Sequence, residues 1–205
     1  PYYVTWKAAN STRCTLLCWT PPASTQQTVL LSKDGVWMLP APRWSEKVES
    51  VQSLLLDGEV IWDAGLVIFY AYDLLICRAR IQRSGGLTDL VVSNDPDHAN
   101  ATFHERFNGS LFRLVGDNDV SAGQVRIRRK VPMFKAKFAR DQAFYDDPDR
   151  FGIRRSGLIF VPCRSRFMRG ENTNILEWKG ADAILRDAIA HLDRLQLLQE
   201  MPRTP

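Results

Sequence analysis

Two carboxylates stand where the surrounding sequence is otherwise apolar. Residues 54–61, Leu-Leu-Leu-Asp-Gly-Glu-Val-Ile, and residues 69–75, Phe-Tyr-Ala-Tyr-Asp-Leu-Leu, are short runs rich in branched and aromatic side chains and read as buried strands. Glu59 and Asp73 interrupt them. A carboxylate is costly to bury unless it is paired or spent on a ligand, so both are candidates for a polar site floored by a sheet. The competing reading is an Asp57-Gly58 turn with a solvated glutamate beside it.

Basic residues offer a second kind of chemistry. Residues 125–131 run Val-Arg-Ile-Arg-Arg-Lys-Val, so a strand there would pack one face and leave the other strongly positive. Arg126, Arg128, Arg129 and Lys130, together with the cluster Arg154, Arg155, Arg164, Arg166 and Arg169, form a candidate set of phosphate contacts for a nucleic acid. A merely solvated face is the bland alternative. No metal centre is expected, because His98, His104 and His191 are isolated and Cys14, Cys18, Cys77 and Cys163 contain no CxxC pair. Neither a GxxxxGK[ST] loop nor a GxSxG elbow occurs.

A chain of 205 residues must position these groups, and that length supports one substantial core or two small ones. Lys and Arg total 27 against 23 acids, a formal charge of +4 that permits nucleic-acid contact without requiring it. Three of the four cysteines sit in apolar runs, which points to a reducing, intracellular compartment, nucleus or organelle. No run of about 18 apolar residues is present, so no membrane-spanning helix is expected, and no targeting segment is read.

The elements follow from periodicity. Residues 2–7 and 14–20 read as a hairpin around a polar break at residues 10–12, and residues 29–31 and 36–39 as another around Lys33-Asp34-Gly35, ended by Pro40 and Pro42. Residues 45–51, opened by Ser45 as a candidate N-cap, suit a short helix. Strands are expected over 54–61 and 66–76. Residues 78–100, containing Gly85-Gly86 and Asp95-Pro96, read as an exposed excursion with one strand at 90–92. A helix is expected over 101–114 around Phe103, Phe107 and Leu111, weakened by Asn108-Gly109. A strand at 125–131, a helix at 134–144, and strands at 156–162 and 175–179 follow. Last comes an amphipathic helix over 181–200 carrying Ile184, Leu185, Ala188, Ile189, Leu192, Leu195 and Leu198.

Several segments, in order, carry a resemblance. They are Tyr2-Tyr3-Val4-Thr5-Trp6-Lys7, the stretch from Trp37-Met38-Leu39-Pro40 to Arg43-Trp44, Leu56-Asp57-Gly58-Glu59-Val60, Tyr70-Ala71-Tyr72-Asp73-Leu74-Leu75, Ser156-Gly157-Leu158-Ile159-Phe160-Val161-Pro162 with the loop from Phe167 to Gly170, and Ile175-Leu176-Glu177-Trp178-Lys179-Gly180. Together they resemble the nucleotidyltransferase domain of mRNA capping enzymes, the guanylyltransferase branch of the covalent nucleotidyltransferases that also includes DNA and RNA ligases. The resemblance implies an α+β, ATP-grasp-like fold with twisted, mainly antiparallel sheets, one domain over residues 1–205, in which Lys7, Glu59, Ser156 and Lys179 converge. Nothing in the chain resembles the OB-fold that closes over the nucleotide in that family.

The resemblance also assigns roles. Lys7 matches the nucleophile that attacks the α-phosphate of GTP, with Mg or Mn carrying charge. Glu59 matches a ribose contact, Tyr72 an aromatic against the purine, Arg13 a ribose-holding arginine displaced by one position, and Lys179 a phosphate ligand. Three departures fall on the chemistry: Ala8-Ala9-Asn10 replaces an acidic-glycine turn, Ser156 replaces a metal-binding carboxylate, and Glu177 replaces a lysine. The expected function is therefore a degenerate, non-catalytic domain that binds RNA or nucleotide, or serves as a structural subunit beside other proteins in an RNA-containing assembly. The alternative is an active, divergent guanylyltransferase that forms lysyl-GMP on Lys7 with Asp57 or Glu59 as metal ligand. A ligase-type adenylyltransferase is a third reading.

Overall fold

Alternation of buried and exposed residues makes the described part of the chain mostly strand, with few helices. The computed structural model describes residues 2–8, 11–63, 66–93, 101–116, 120–130, 133–134, 155–165 and 175–178. The helices expected over 134–144 and 181–200 lie outside them, except that Met133–Phe134 is a short strand.

In chain order the strands are β1 (Tyr2–Ala8), β2 (Thr12–Trp19), β3 (Gln27–Ser32), β4 (Gly35–Leu39), β5 (Val48–Asp63), β6 (Leu66–Arg83), β7 (Gly86–Val92), β8 (Val120–Ala122), β9 (Val125–Arg129), β10 (Met133–Phe134), β11 (Arg155–Pro162) and β12 (Leu176–Trp178). They form two sheets. The smaller has the order β10-β1-β11-β12; the larger runs β4-β3-β2-β5-β6-β9-β8, with β7 also on β6. β6 is long enough for one of its edges to serve two partners, β9 in parallel along Val67 to Ala71 and β7 antiparallel along Cys77 to Arg83.

The large sheet curls. Register shifts punctuate the pairing of β5 with β6, including one at Asp57/Gly58, and such bulges increase local twist. Beyond β4 the chain comes round to β8, where the Arg43 amide donates to the Ser121 carbonyl at 2.8 Å. One helix, α1, packs into this curl: it is entered at Phe103, is π-helical over Glu105–Leu111 and α-helical over Phe112–Val115. Phe103, Phe107, Leu111 and Leu114 meet Leu16, Leu54, Leu56 and Leu74 in the main core. A second core lies between the sheets, where Val4, Trp6, Leu158 and Phe160 cover Ile61, Ile68 and Tyr70.

Several expectations change. β1 and β2 are not a hairpin, because both edges of β1 are taken by β10 and β11 while β2 pairs with β3 and β5. Residues 45–51 hold no helix: the Val48 amide closes a turn onto Ser45 at 2.8 Å and β5 begins there. Nor is 78–92 a loose excursion, since Ala79, Ile81, Leu90 and Val92 are buried in the β6–β7 hairpin. The Asp57-Gly58 turn is also excluded. Gly58 sits within β5, and a Cβ there would lie 2.4 Å from the Tyr70 carbonyl oxygen and 2.6 Å from Phe69 Cζ. Close approach of two strands, not a turn, requires that glycine.

Candidate functional site

β1 and β5 bring the first candidates together. Alternation along β1 turns Trp6 into the core between the sheets and leaves Lys7 half-buried, while β5 delivers Glu59 beneath it. The Glu59 carboxylate is buried but fully engaged: Oε1 lies 2.5 Å from Lys130 Nζ and accepts the Ala8 amide at 3.4 Å, and Oε2 accepts the Ser11 hydroxyl at 2.8 Å.

Lys130 is expected among the RNA phosphate contacts on the positive face of its strand. Its side chain is instead 1% exposed. The alternation of β9 does place it on the outer face of the large sheet, but at this end the small sheet roofs that face. Its amide extends the ladder, donating to the Ala71 carbonyl at 2.8 Å. Its ammonium lies 4.5 Å from the Trp6 ring centroid and 5.4 Å from that of Tyr72, an arrangement in which ring quadrupoles replace part of the lost hydration. Charge and proximity hold the pair with Glu59 together. Burial still pushes the Lys130 pKa down, Glu59 opposes that shift, and the Lys7 ammonium adds slightly to it.

Lys7 pairs with Glu177, which β12 presents from the edge of the same small sheet. The two lysines and two glutamates thus form a group of paired charges spanning the sheets. Beside it, Arg13 grips Asp57 in a bidentate contact, Nη2 to Oδ2 at 2.7 Å and Nε to Oδ1 at 3.4 Å. Tyr72 adjoins this pair, and burial, reinforced by Asp57, pushes its phenol pKa up. Asp57 and Glu59, the candidate substitutes for a missing metal ligand, are therefore spent on Arg13 and Lys130. Among the described residues no group of three or more His, Cys, Asp or Glu could hold a metal ion, and Asp57 and Glu59, paired as they are, do not fit a divalent cation.

Asp73 belongs elsewhere. It faces α1, where Arg106 donates to both its oxygens at 2.8 and 2.7 Å and to the Ala101 carbonyl at 2.8 Å. Burial raises the Asp73 pKa and Arg106 opposes that rise. Of the candidate RNA contacts, Arg126 and Arg164 are exposed, whereas Arg128 donates to the Tyr70 hydroxyl at 3.4 Å. Arg154, Arg166, Arg169 and Lys179 lie outside the described residues, as do the side chains of Arg155 and Ser156.

Lys130 and Ser11 were missed as partners of Glu59, and Trp6 as the ring beside Lys130. A buried acid demands a base, and that was the available signal, but alternation alone pointed Lys130 at solvent. Among the described residues, no helix is long and apolar enough to cross a membrane. No protein-family model matches the chain, and no curated protein matches it either.

Proposed function

We propose that this chain is a capping-enzyme-like nucleotidyltransferase domain that has lost lysyl-nucleotide chemistry and acts as a non-catalytic, RNA-binding subunit of a larger assembly. The observation that carries this reading is the Lys7–Glu177 ion pair. A phosphate approaching Lys7 would have to displace a carboxylate and then share its space with an anion, which reverses the electrostatic help that phosphoryl transfer needs. The full engagement of Glu59 by Lys130, Ser11 and Ala8 supports the same conclusion. Exposed Arg126 and Arg164 supply surface cations for an RNA backbone.

The test has two parts. Incubation with α-labelled GTP and Mg or Mn, followed by denaturing electrophoresis, is expected to give no covalent adduct with the natural chain or with Glu177→Lys. Fluorescence anisotropy with labelled single-stranded RNA is expected to show salt-sensitive binding that weakens several-fold in the Arg126→Glu/Arg164→Glu double variant. An acid-labile adduct that disappears in Lys7→Ala would instead establish an active guanylyltransferase, and RNA affinity untouched by charge reversal would remove RNA from the reading.

A further inference from the structure

The large sheet ends at β4, whose edge carries no charge along Val36 to Met38 and is blunted only beyond Leu39, by Pro40 and Pro42. From Gly35 to Pro42 the sequence is Gly-Val-Trp-Met-Leu-Pro-Ala-Pro, with no charged residue; sheet edges are commonly blunted by lysine, bulges or covering segments. Among the described residues β4 pairs only with β3. Val36 is 66% exposed and Met38 63%.

The backbone pattern can be worked out from the turn. β3 and β4 are joined through Lys33 and Asp34, with Ser32 opposite Gly35. A two-residue connection makes that closing pair hydrogen-bonded. Along β4, Gly35, Trp37 and Leu39 therefore turn their amide and carbonyl groups toward β3, and Val36 and Met38 turn theirs outward. The free edge thus offers two donors and two acceptors centred on Trp37. Pro40, the next outward-facing position, lacks an N–H and ends the ladder.

We infer that β4 is a self-association edge, pairing antiparallel with β4 of a second copy about a two-fold axis through Trp37. In this register Val36 of each copy forms a hydrogen-bonded pair with Met38 of the other, the only parity the outward groups permit. The two Trp37 residues face each other as a non-hydrogen-bonded pair, in which side chains stand closest. No charge falls within the paired segment, so the two-fold axis creates no like-charge contact there.

A second observation concerns side chains. One register line across the large sheet reads Met38, Val29, Leu17, Leu55, Ile76. It is apolar throughout, and it reaches the open edge at Met38. Antiparallel pairing sets Met38 against Val36 of the second copy, so the apolar line crosses the interface without interruption. The contact uses short strands and lies at the small end of protein interfaces, so the dimer is weak and concentration-dependent.

Sedimentation velocity of the natural chain over a wide concentration range is expected to show a monomer–dimer equilibrium. Val36→Lys and Met38→Pro, both confined to the outward edge, should shift it at least tenfold toward monomer while circular dichroism stays unchanged. Oxidation of Trp37→Cys at concentrations that populate the dimer should give a disulfide-linked dimer, since facing residues of a non-hydrogen-bonded pair stand within disulfide reach; Leu39→Cys should cross-link far less. A natural chain that stays monomeric throughout, a dimer indifferent to both edge variants, or equal cross-linking at the two positions would overturn the inference.

Discussion

Glu59 keeps its charge away from water because Lys130 stands 2.5 Å from it. Removing one partner of a buried pair leaves the other uncompensated, which typically costs about 3–5 kcal/mol, whereas replacing both by uncharged groups of similar size is often near neutral. Glu59→Gln and Lys130→Met are each expected to lower stability strongly in urea denaturation, and the double variant to recover most of the loss. Single losses that simply add in the double variant would show that the two groups do not act as a pair. The pH dependence has a definite sign. Lys130 is held below its ordinary pKa by burial, so in the window below the ordinary lysine range the unfolded chain binds more protons and stability contributed by this group rises with pH. Lys130→Met should flatten that rise. Sequence reasoning found Glu59 because an acid in an apolar run is locally visible. It could not find Lys130, because which face of β9 is roofed depends on where the other sheet sits.

The helix α1 shows the same limit from the opposite side. Its existence was legible, since Phe103, Phe107 and Leu111 recur at helical spacing, and Thr102-x-x-Glu105 is a capping-box signature that could have sharpened its start. The box forms: Glu105 Oε2 accepts from the Thr102 amide and hydroxyl at 2.7 and 2.9 Å, and the Glu105 amide donates to Thr102 Oγ1 at 3.3 Å. Asn108-Gly109, which weakens an α-helical reading, falls within the π-helical turns. Thr102→Ala should cost about 1 kcal/mol in urea denaturation; no measurable change would mean that packing alone holds the helix. The Thr102 hydrogen bonds lower the Glu105 pKa, so its contribution is present above the ordinary glutamate range and lost as pH falls through the lowered value. For this exposed group the effect is small, and Glu105→Gln should reduce the acid-side loss of stability. Strand partners were harder to read than strands. Alternation identifies β1 but not its neighbours, and the serine that suggested a helix at residue 45 marks a turn into β5.

Across the whole molecule, the two sheets differ in how far apart in sequence their partners lie. The large sheet grows mainly by hairpins, β3 on β2, β4 on β3, β6 on β5 and β7 on β6. The small one joins β1 to β11 and β12, and its Lys7–Glu177 contact links residues 170 positions apart. Closing so long a loop is entropically expensive until other contacts have shortened it. Pulse-labelled hydrogen exchange during refolding is therefore expected to protect amides of β5 and β6 before those of β1 and β11; simultaneous protection would mean that both sheets condense in one step. On the ribosome, β1 is synthesised long before the strands that shelter it. Val4 and Trp6, buried in the finished molecule, lack the cover of Leu158 and Phe160 until β11 has been made, and the yield of folded chain becomes a question of what protects that strand while it waits.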